Sequence, residues 1–336
     1  MGKSFNINIM PPLARDFASY KLTIQVQSAK TVDEYLSDLR IFFKYIYAVR
    51  NGIDPVSNDF EEIDISRLSN EFIFSITTSE IYNFFMYVSN DRGNKASARA
   101  RKLSAIKAFY KYVCTKRHLM DKNPAIDIES PKKRQTLPKF LSVEESLSLL
   151  SAVENDNESK TRERDYAIIT LFLNCGMRLS ELCGINLNDM DKDMRSLRVL
   201  GKGAKERIVY LNDACKSALS RYLEIRLSEK YKAVNVPALF ISKQYKRISN
   251  KTVQWLVYKY LAAAGLEYKH FSTHKLRHTA ATLMYQTGKV DVRVLKEILG
   301  HEQLNTTQIY THVSNKGMED AVNANPLAGI KTDKKD

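Results

Sequence analysis

The sequence of 336 residues has few of the features that mark secreted or membrane-bound proteins. Its N-terminal residues contain no apolar run of signal-peptide length. The most apolar stretch, residues 166–177, is interrupted by Thr170 and Asn174 and is shorter than the roughly 20 residues of a membrane-spanning helix. The four cysteines show no CxxC spacing, which predicts reduced thiols and no disulfide framework. We therefore expect a cytoplasmic protein that does not bind a membrane.

Signals for metals and nucleotides are lacking as well. His274 and His278 are four residues apart, but no HExxH motif and no cysteine or carboxylate at ligand spacing accompanies them, which argues against zinc. No P-loop pattern is found, because the GKG at residues 201–203 lies between two predicted strands. No cluster of carboxylates supports a two-metal nuclease. The sequence predicts no metal and no cofactor.

Positive charge is what the sequence has in excess. It contains 52 Lys and Arg against 38 Asp and Glu, a net charge of +14. Residues 1–135 carry an excess of 6 positive charges and the remainder an excess of 8. An anionic partner that touches both halves fits this distribution, and a generic basic surface is the alternative.

The first part of the chain is predicted to be helical. Apolar residues from Val32 to Tyr47 recur at the i, i+3, i+4, i+7 spacing of an amphipathic helix. A second run of this kind extends from Leu103 to Val113.

The second run lies in a stretch of one charge sign. Residues 92–117 contain nine Lys or Arg and no acidic residue. A helix with one apolar and one cationic face can pack on a bundle and contact phosphates, whereas solvated faces usually mix both signs. We predict DNA contacts here and in the basic segment that follows, at Lys95, Arg99, Arg101, Lys102, Lys107, Lys132 and Lys133. A solvated face is the alternative.

Residues 131–139 divide the chain. They contain two prolines and four basic residues and nothing to build a core, which predicts a linker. We expect a helical domain over residues 1–130, a mixed domain over 140–330 and a disordered tail over 331–336.

The second domain mixes helices and strands. A helix is predicted to begin at Leu141, where Ser142 and Glu145 have capping-box spacing, and a buried helix over 164–175 ends at Gly176. Strands are predicted over residues 196–200, 207–211 and 238–242, the first two joined by a hairpin, with helices after them. The fold class is mostly α with a small antiparallel sheet.

Six residues of the second domain can carry chemistry, namely Arg178, Lys202, His274, Arg277, His301 and Tyr310. Each alone is weak evidence, since a single arginine usually forms a salt bridge and a lysine in a turn is usually solvated. Together they fit cleavage of a phosphate backbone. Two arginines can fork onto the phosphate, and tyrosine, histidine and lysine can serve as nucleophile, proton acceptor and proton donor.

At these residues the sequence resembles the tyrosine recombinase/integrase family, most of all its Xer-like bacterial members. The resemblance spans the chain in outline and is sharpest from about residue 165 to 325. The matching stretches are GMRLSEL (176–182), GKGAKER (201–207), HKLRHTAAT (274–282), LGHEQLNTTQIYTHV (299–313) and VNANPLA (322–328).

The resemblance implies a role for each reactive residue. Tyr310 would attack the scissile phosphate and form a 3′-phosphotyrosine. Arg178 and Arg277 would clamp the phosphate and stabilise the crowded transition state. His274 and His301 would bind the phosphate or carry the nucleophile's proton, and which of them is the better base stays open.

Two further assignments concern a proton donor and a supporting carboxylate. The family motif places the general acid at Lys202, on the hairpin, with Lys205 as a rival. Glu181 would orient the arginine or histidine network, and a plain i, i+3 ion pair with Arg178 is compatible with that role. Because a phosphotyrosine keeps the energy of the broken phosphodiester, religation needs no ATP.

The resemblance also implies an assembly. A helical core-binding domain and an α+β catalytic domain would form a C-shaped clamp around duplex DNA. Four protomers, identical or paired with a related recombinase, would act on inverted-repeat core sites through a Holliday junction. A last helix around residues 315–323 would dock on a neighbour through Met318, Ala321 and Val322, or else pack within its own chain.

Two other functions compete with this one. A DNA-binding accessory protein would keep the basic helix but would not need six reactive residues in order. A type IB topoisomerase uses similar groups but needs neither a defined site nor a tetramer. Within the recombinases, chromosome dimer resolution and mobile-element integration or excision both remain open. No additional arm-binding domain is apparent before residue 15, which favours a simple Xer-like enzyme.

Overall fold

A computed structural model describes residues 5–131, 139–201, 205–228, 236–288 and 290–300. The chain divides into two compact units, Met1–Gln135 and Thr136–Asp336. None of the helices in these described ranges is long and apolar enough to cross a membrane. Several predictions lie outside the described residues, namely those for Lys132, Lys133, Lys202, His301, Tyr310 and the last helix.

The first unit is built from helices. They are α1 (Pro12–Thr23), α2 (Ala29–Arg50), α3 (Asp59–Glu62), α4 (Asn70–Phe74), α5 (Thr78–Asn90) and α6 (Ala96–Thr115). The two helices predicted from apolar periodicity correspond to α2 and α6. The longer one begins where the Ser28 side chain accepts a hydrogen bond from the backbone N–H of Thr31.

Aromatic side chains join the helices of this unit. The ring of Phe109 on α6 meets Phe17 of α1 and Phe43 of α2 edge to face, with centroids 5.6 and 5.5 Å apart. All three rings are fully buried. Each such burial stabilises the fold by roughly 1.5–3 kcal/mol, so α6 is fixed firmly in the bundle.

The second unit surrounds one buried helix. Its helices are α7 (Val143–Glu154), α8 (Arg162–Cys175), α9 (Leu179–Gly184), α10 (Asp213–Arg226), α11 (Asn250–Ala263), α12 (Thr273–Gln286) and α13 (Val292–Leu299). Helices α7, α10 and α12 all pack against α8. Helix α7 begins two residues after Leu141 and has the predicted capping box of Ser142 and Glu145. The predicted end of α8 at left-handed Gly176 is confirmed, with φ +57°.

The sheet has two antiparallel strands, β1 (Ser196–Leu200) and β2 (Glu206–Tyr210). Ser196 pairs with Tyr210 and Leu200 with Glu206, so the second strand lies one residue earlier than predicted. Leu197, Val199 and Val209 alternate inward to the core.

The predicted third strand, residues 238–242, is wrong. Ala238 and Ile241 form only isolated bridges, the first to Asn186 and the second to Arg247. Because successive backbone groups bond to two different segments, no continuous ladder forms. The apolar run is buried, with Phe240 stacked on Tyr222 at 5.4 Å, so its apolar character marked burial and not strand pairing.

Candidate active site

The site begins at the turn between α8 and α9. Gly176 takes the left-handed conformation there, and a Cβ atom at this position would come within 2.9 Å of Leu299 Cδ2. Arg178 follows as the residue before α9, and its backbone N–H donates to Glu181 Oε2 at 2.8 Å. The turn therefore aims Arg178 and Glu181 at each other.

Glu181 is the centre of a cluster of arginines. Its Oε1 accepts from Arg178 Nη1 at 2.7 Å, and its Oε2 accepts from Arg207 Nη2 at 2.8 Å. Arg277 Nη1 lies 4.0 Å from the same carboxylate, whose residue is 1% exposed. Burial alone would raise the pKa of Glu181, but hydrogen bonds and charge from Arg207 and Arg178 hold it below its usual range. Glu181 thus orients several arginines and is more than an i, i+3 partner.

The two arginines predicted to bind phosphate converge at the end of α13. Arg277 lies on α12, is 2% exposed, and donates from Nη1 to the Gly176 carbonyl at 2.7 Å and from Nη2 to that of Leu299 at 2.5 Å. Arg178 donates from Nη2 to the Gly300 carbonyl at 2.7 Å. Arg178 keeps 31% of its side chain exposed, so it is the member of the pair that solvent reaches.

His274 shares a face of α12 with Arg277, as predicted. Although His274 is exposed, crowding of its ring by protein atoms, together with the charges of Arg277 and Arg178, lowers its pKa. The ring of His278 meets it edge to face at 4.6 Å, and burial followed by the charge of its neighbours lowers the pKa of His278 to about 4. Both imidazoles are therefore neutral at pH 7.

The hairpin between β1 and β2 is closed at its base. The backbone N–H of Gly201 donates to the Lys205 carbonyl at 2.7 Å. Lys205 is exposed, whereas Lys202 lies outside the described residues, as do His301 and Tyr310. The choice of Lys202 over Lys205 as proton donor stays a prediction.

Sequence reasoning missed Arg207, although a signal for it was present. Along β2 the residues alternate, and Ile208 and Tyr210 are 50% and 80% exposed. Inward-facing Val209 therefore puts Arg207 on the inner face of the strand. An arginine on the inner face of a strand needs partners there, and it finds them in Glu181 and the carbonyl of Ile298.

The cationic face of α6 differs in part from the prediction. Lys102 is buried, and its Nζ pairs with buried Asp38 at 2.8 Å, which removes it from the predicted DNA contacts. Arg101 binds the other oxygen of Asp38 but remains 46% exposed at its side chain. Arg99 donates to Ser89 Oγ at 2.7 Å and Lys107 to the Ile126 carbonyl at 2.9 Å. Lys95 is exposed at the start of the helix.

Comparison with known proteins places these residues in context. Residues 139–316 match the model of the phage integrase family. The tyrosine recombinase XerC of Caldanaerobacter subterraneus subsp. tengcongensis is 47% identical over 320 residues, which cover 95% of this chain and 88% of the relative. The tyrosine recombinase XerC of Thermodesulfovibrio yellowstonii is 35% identical over 292 residues, or 86% and 87% of the two chains.

Solved structures share the fold. The XerH site-specific recombinase bound to a palindromic difH substrate superposes with a TM-score of 0.67 at 22% identity, covering 96% of this chain and 98% of that one. A lambda integrase tetramer bound to a Holliday junction gives 0.59 at 20% identity, covering 87% and 76%. The mostly helical fold with a small antiparallel sheet is thereby confirmed.

Proposed function

The chain belongs to the phage integrase family, and from this premise we propose that it breaks and rejoins DNA strands through a covalent bond to Tyr310. It is a tyrosine recombinase of the Xer-like type, acting in site-specific DNA recombination. The observation that carries the residue assignments is the convergence of Arg178 and Arg277 on adjacent carbonyls, directly before His301.

The proposed cleavage step is a transfer of the phosphoryl group. The Tyr310 oxygen attacks the scissile phosphorus and loses its proton to a histidine, while the bond from phosphorus to the 5′ oxygen breaks. Lys202 gives that oxygen a proton, and a 3′-phosphotyrosine remains. Attack by a 5′ hydroxyl reverses the step and rejoins a strand without ATP.

The arginines and His274 act on the phosphate in this scheme. Arg178 binds the phosphate from the solvent-exposed side, and Arg277 binds it from the buried side. The protein holds both guanidinium groups in position before the transition state forms. His274 is neutral at pH 7 and can accept the proton of Tyr310, a role it shares with His301.

The assembly is proposed from the family's architecture. We propose that both units contact duplex DNA, with residues 1–130 as core-binding domain and 140–330 as catalytic domain. Basic charge in both parts of the sequence supports this arrangement. A lambda integrase neighbour was solved as a tetramer on a Holliday junction, and we propose a tetramer here, of one chain or of two related recombinases.

The biological role follows from the curated relatives. They are named tyrosine recombinase XerC, and on this similarity we propose that the chain acts in chromosome dimer resolution. An inverted-repeat core site and a cytoplasmic location are proposed with that role. The XerH neighbour was bound to a palindromic substrate, which agrees with such a site. Mobile-element integration or excision would use the same chemistry and is the alternative.

A trapping experiment tests the chemistry. The protein is incubated with nicked duplexes that carry inverted repeats, in the presence of EDTA, and SDS-resistant protein–DNA adducts are mapped by peptide sequencing. We expect an adduct at Tyr310 on a preferred sequence. Adducts formed equally on every sequence would favour a topoisomerase, and binding without any adduct would favour an accessory DNA-binding protein.

A further inference from the structure

Arg207 contacts the site residues but is not one of the six residues with a proposed chemical role. We infer that Arg207 is a positioning residue that ties Glu181 to the C-terminal end of α13, and so holds the arginine pair and the start of the segment bearing His301. This inference rests on the proposed function and adds a residue to its machinery.

The contacts of Arg207 run in two directions. On one side, Nη2 donates to Glu181 Oε2 at 2.8 Å, and Nε approaches Oε1 at 3.4 Å. On the other side, Nη1 donates to the carbonyl of Ile298 at 2.5 Å. The side chain is only 14% exposed, which favours a role inside the protein over direct contact with DNA.

Three arginines bind three successive carbonyls at the end of α13. Arg207 donates to the carbonyl of Ile298, Arg277 to that of Leu299, and Arg178 to that of Gly300. The last carbonyls of a helix lack partners within the helix and carry the negative end of its dipole, so cations are favourable there. Removing Arg207 would take one of these three partners away and loosen the end of α13, from which the chain continues to His301.

Close packing makes this contact specific. Gly300 has φ +63°, and a Cβ atom there would lie 2.8 Å from Arg207 Cδ. Arg207 also pairs with Val199 in the ladder, next to the pair that closes the hairpin bearing Lys202. One side chain thus joins the sheet, Glu181 and the end of α13.

Lysine cannot replace this arginine. A guanidinium is planar and reaches two acceptors in opposite directions, whereas an ammonium is a compact point charge. A residue needed only for its charge would tolerate Arg207→Lys, and a positioning residue would not.

The test measures single-turnover cleavage on nicked duplexes at saturating protein, together with DNA affinity. We expect R207Q and R207K each to slow cleavage by about 10–100-fold, a loss typical of misplaced electrostatic groups, with affinity nearly unchanged. The matched control is R198Q, on β1, where Arg198 is 52% exposed and pairs with Asp189. It removes the same charge from the same sheet and should cleave like wild type.

A double-mutant cycle separates positioning from general stabilisation. If Arg207 acts through Glu181, the R207Q/E181Q protein should cleave no more slowly than the slower single variant. Multiplicative losses would overturn the inference, as would wild-type rates for R207K. A salt dependence of binding reduced by about 0.9 in log–log slope would make Arg207 a phosphate contact instead.

Two controls keep the outcomes apart. Melting of each variant is recorded, and if R207Q is unfolded at the assay temperature, the R207K result decides the question. If wild-type protein itself gives no adduct, the proposed function fails. If wild type cleaves and the Arg207 variants match it, only the inference fails.

Discussion

The hydroxyl oxygen of Tyr310 is the only atom that the proposed nucleophile contributes to the reaction. Tyr310→Phe removes it and leaves the ring, so we expect normal DNA binding and no covalent complex. Gel-shift titration measures the binding, and an SDS gel of the trapped reaction detects the adduct. An adduct that survives in this variant would place the nucleophile elsewhere.

His278 links the stability of the second unit to pH. The folded protein lowers its pKa to about 4, while an unfolded chain binds this proton near pH 6.5. Because the unfolded state then binds more protons, the free energy of unfolding should fall as the pH drops from 6.5 towards 4. We expect His278 to account for about 1–2 kcal/mol of that loss, less than the full shift implies, because the ring is partly exposed.

The measurement compares denaturant unfolding of wild type and His278→Asn at pH 7 and pH 5. The difference in unfolding free energy between the two proteins should shrink at pH 5, because asparagine does not take up a proton. A difference that is the same at both pH values would show that His278 is not the titrating group.

The sequence predicted that Arg178 and Arg277 belong to one site, and the structure brings them together, but the sequence did not predict most of their contacts. Arg178, His274 and Arg277 stand in short motifs, and α12 places the last two on one face as their spacing requires. The contact of Glu181 with Arg207 joins residues 26 positions apart, and the contact of Arg207 with Ile298 joins residues 91 apart. Only folding brings such distant residues together, so no local sequence pattern predicts these contacts.

At the scale of elements, α6 shows that the position of a residue around the helix, and not the charge of its neighbours, decides whether the residue is buried. All charged residues in this stretch are basic. Lys102, however, lies four residues before Ile106 and seven before Phe109, which places it on the apolar face of the helix. The buried partner Asp38 makes that position tolerable. The prediction of a DNA contact at Lys102 rested on composition and was wrong, because the helical phase puts this residue on the buried face.

Lys102→Met should destabilise the protein without any direct effect on DNA contacts. It leaves the buried Asp38 carboxylate without its lysine partner, and breaking a buried pair in this way costs about 3–5 kcal/mol. Arg101 still binds Asp38, so we expect the lower end of that range. Thermal and denaturant unfolding measure the loss. The double variant Lys102→Met/Asp38→Leu should recover most of it, and a stable single variant would refute the structural role.

The exposed part of α6 should behave differently. Replacing Lys95 and Arg101 with glutamine should weaken DNA binding, and its salt dependence should fall by about 0.9 in log–log slope for each phosphate that the variant no longer neutralises. Affinity measured at several salt concentrations gives the slope. Lys30→Gln, at an exposed lysine on α2, is the control for the loss of a single positive charge elsewhere in this unit. An unchanged slope in the α6 variant would show that this face of the helix is solvated and does not contact DNA.

The hairpin of β1 and β2 was predicted correctly to within one residue, whereas the third strand was not, because only the hairpin has a local pairing signal in its sequence. Residues 196–200 and 206–210 alternate and flank a glycine-containing turn, which is the signature of a hairpin. Residues 238–242 are apolar, but their pairing is divided: Ala238 bridges distant Asn186, whereas Ile241 bridges Arg247 across the turn that follows it. Burial can be inferred from such a run, whereas the division of its hydrogen bonds between two segments cannot.

At the scale of the whole molecule, the site is assembled from distant segments around α8. The turn after α8 carries Arg178, β2 carries Arg207 and α12 carries Arg277, and all three meet the end of α13. Since α12 and α10 pack on α8, the core of the second unit sets the spacing of the arginines. A packing change in α8 should therefore alter activity as well as stability.

Cooperation between protomers separates a recombinase tetramer from a topoisomerase that acts alone. Wild-type protein is held at a concentration too low to fill both halves of an inverted-repeat site, and Tyr310→Phe protein is added. If assembly with neighbours activates cleavage, the inactive protomers should raise the adduct yield per wild-type chain several-fold before they compete at excess. An enzyme that acts as a monomer would show only competition, with a yield that falls from the first addition. A rise that is absent on single half-sites would tie the activation to assembly on paired repeats.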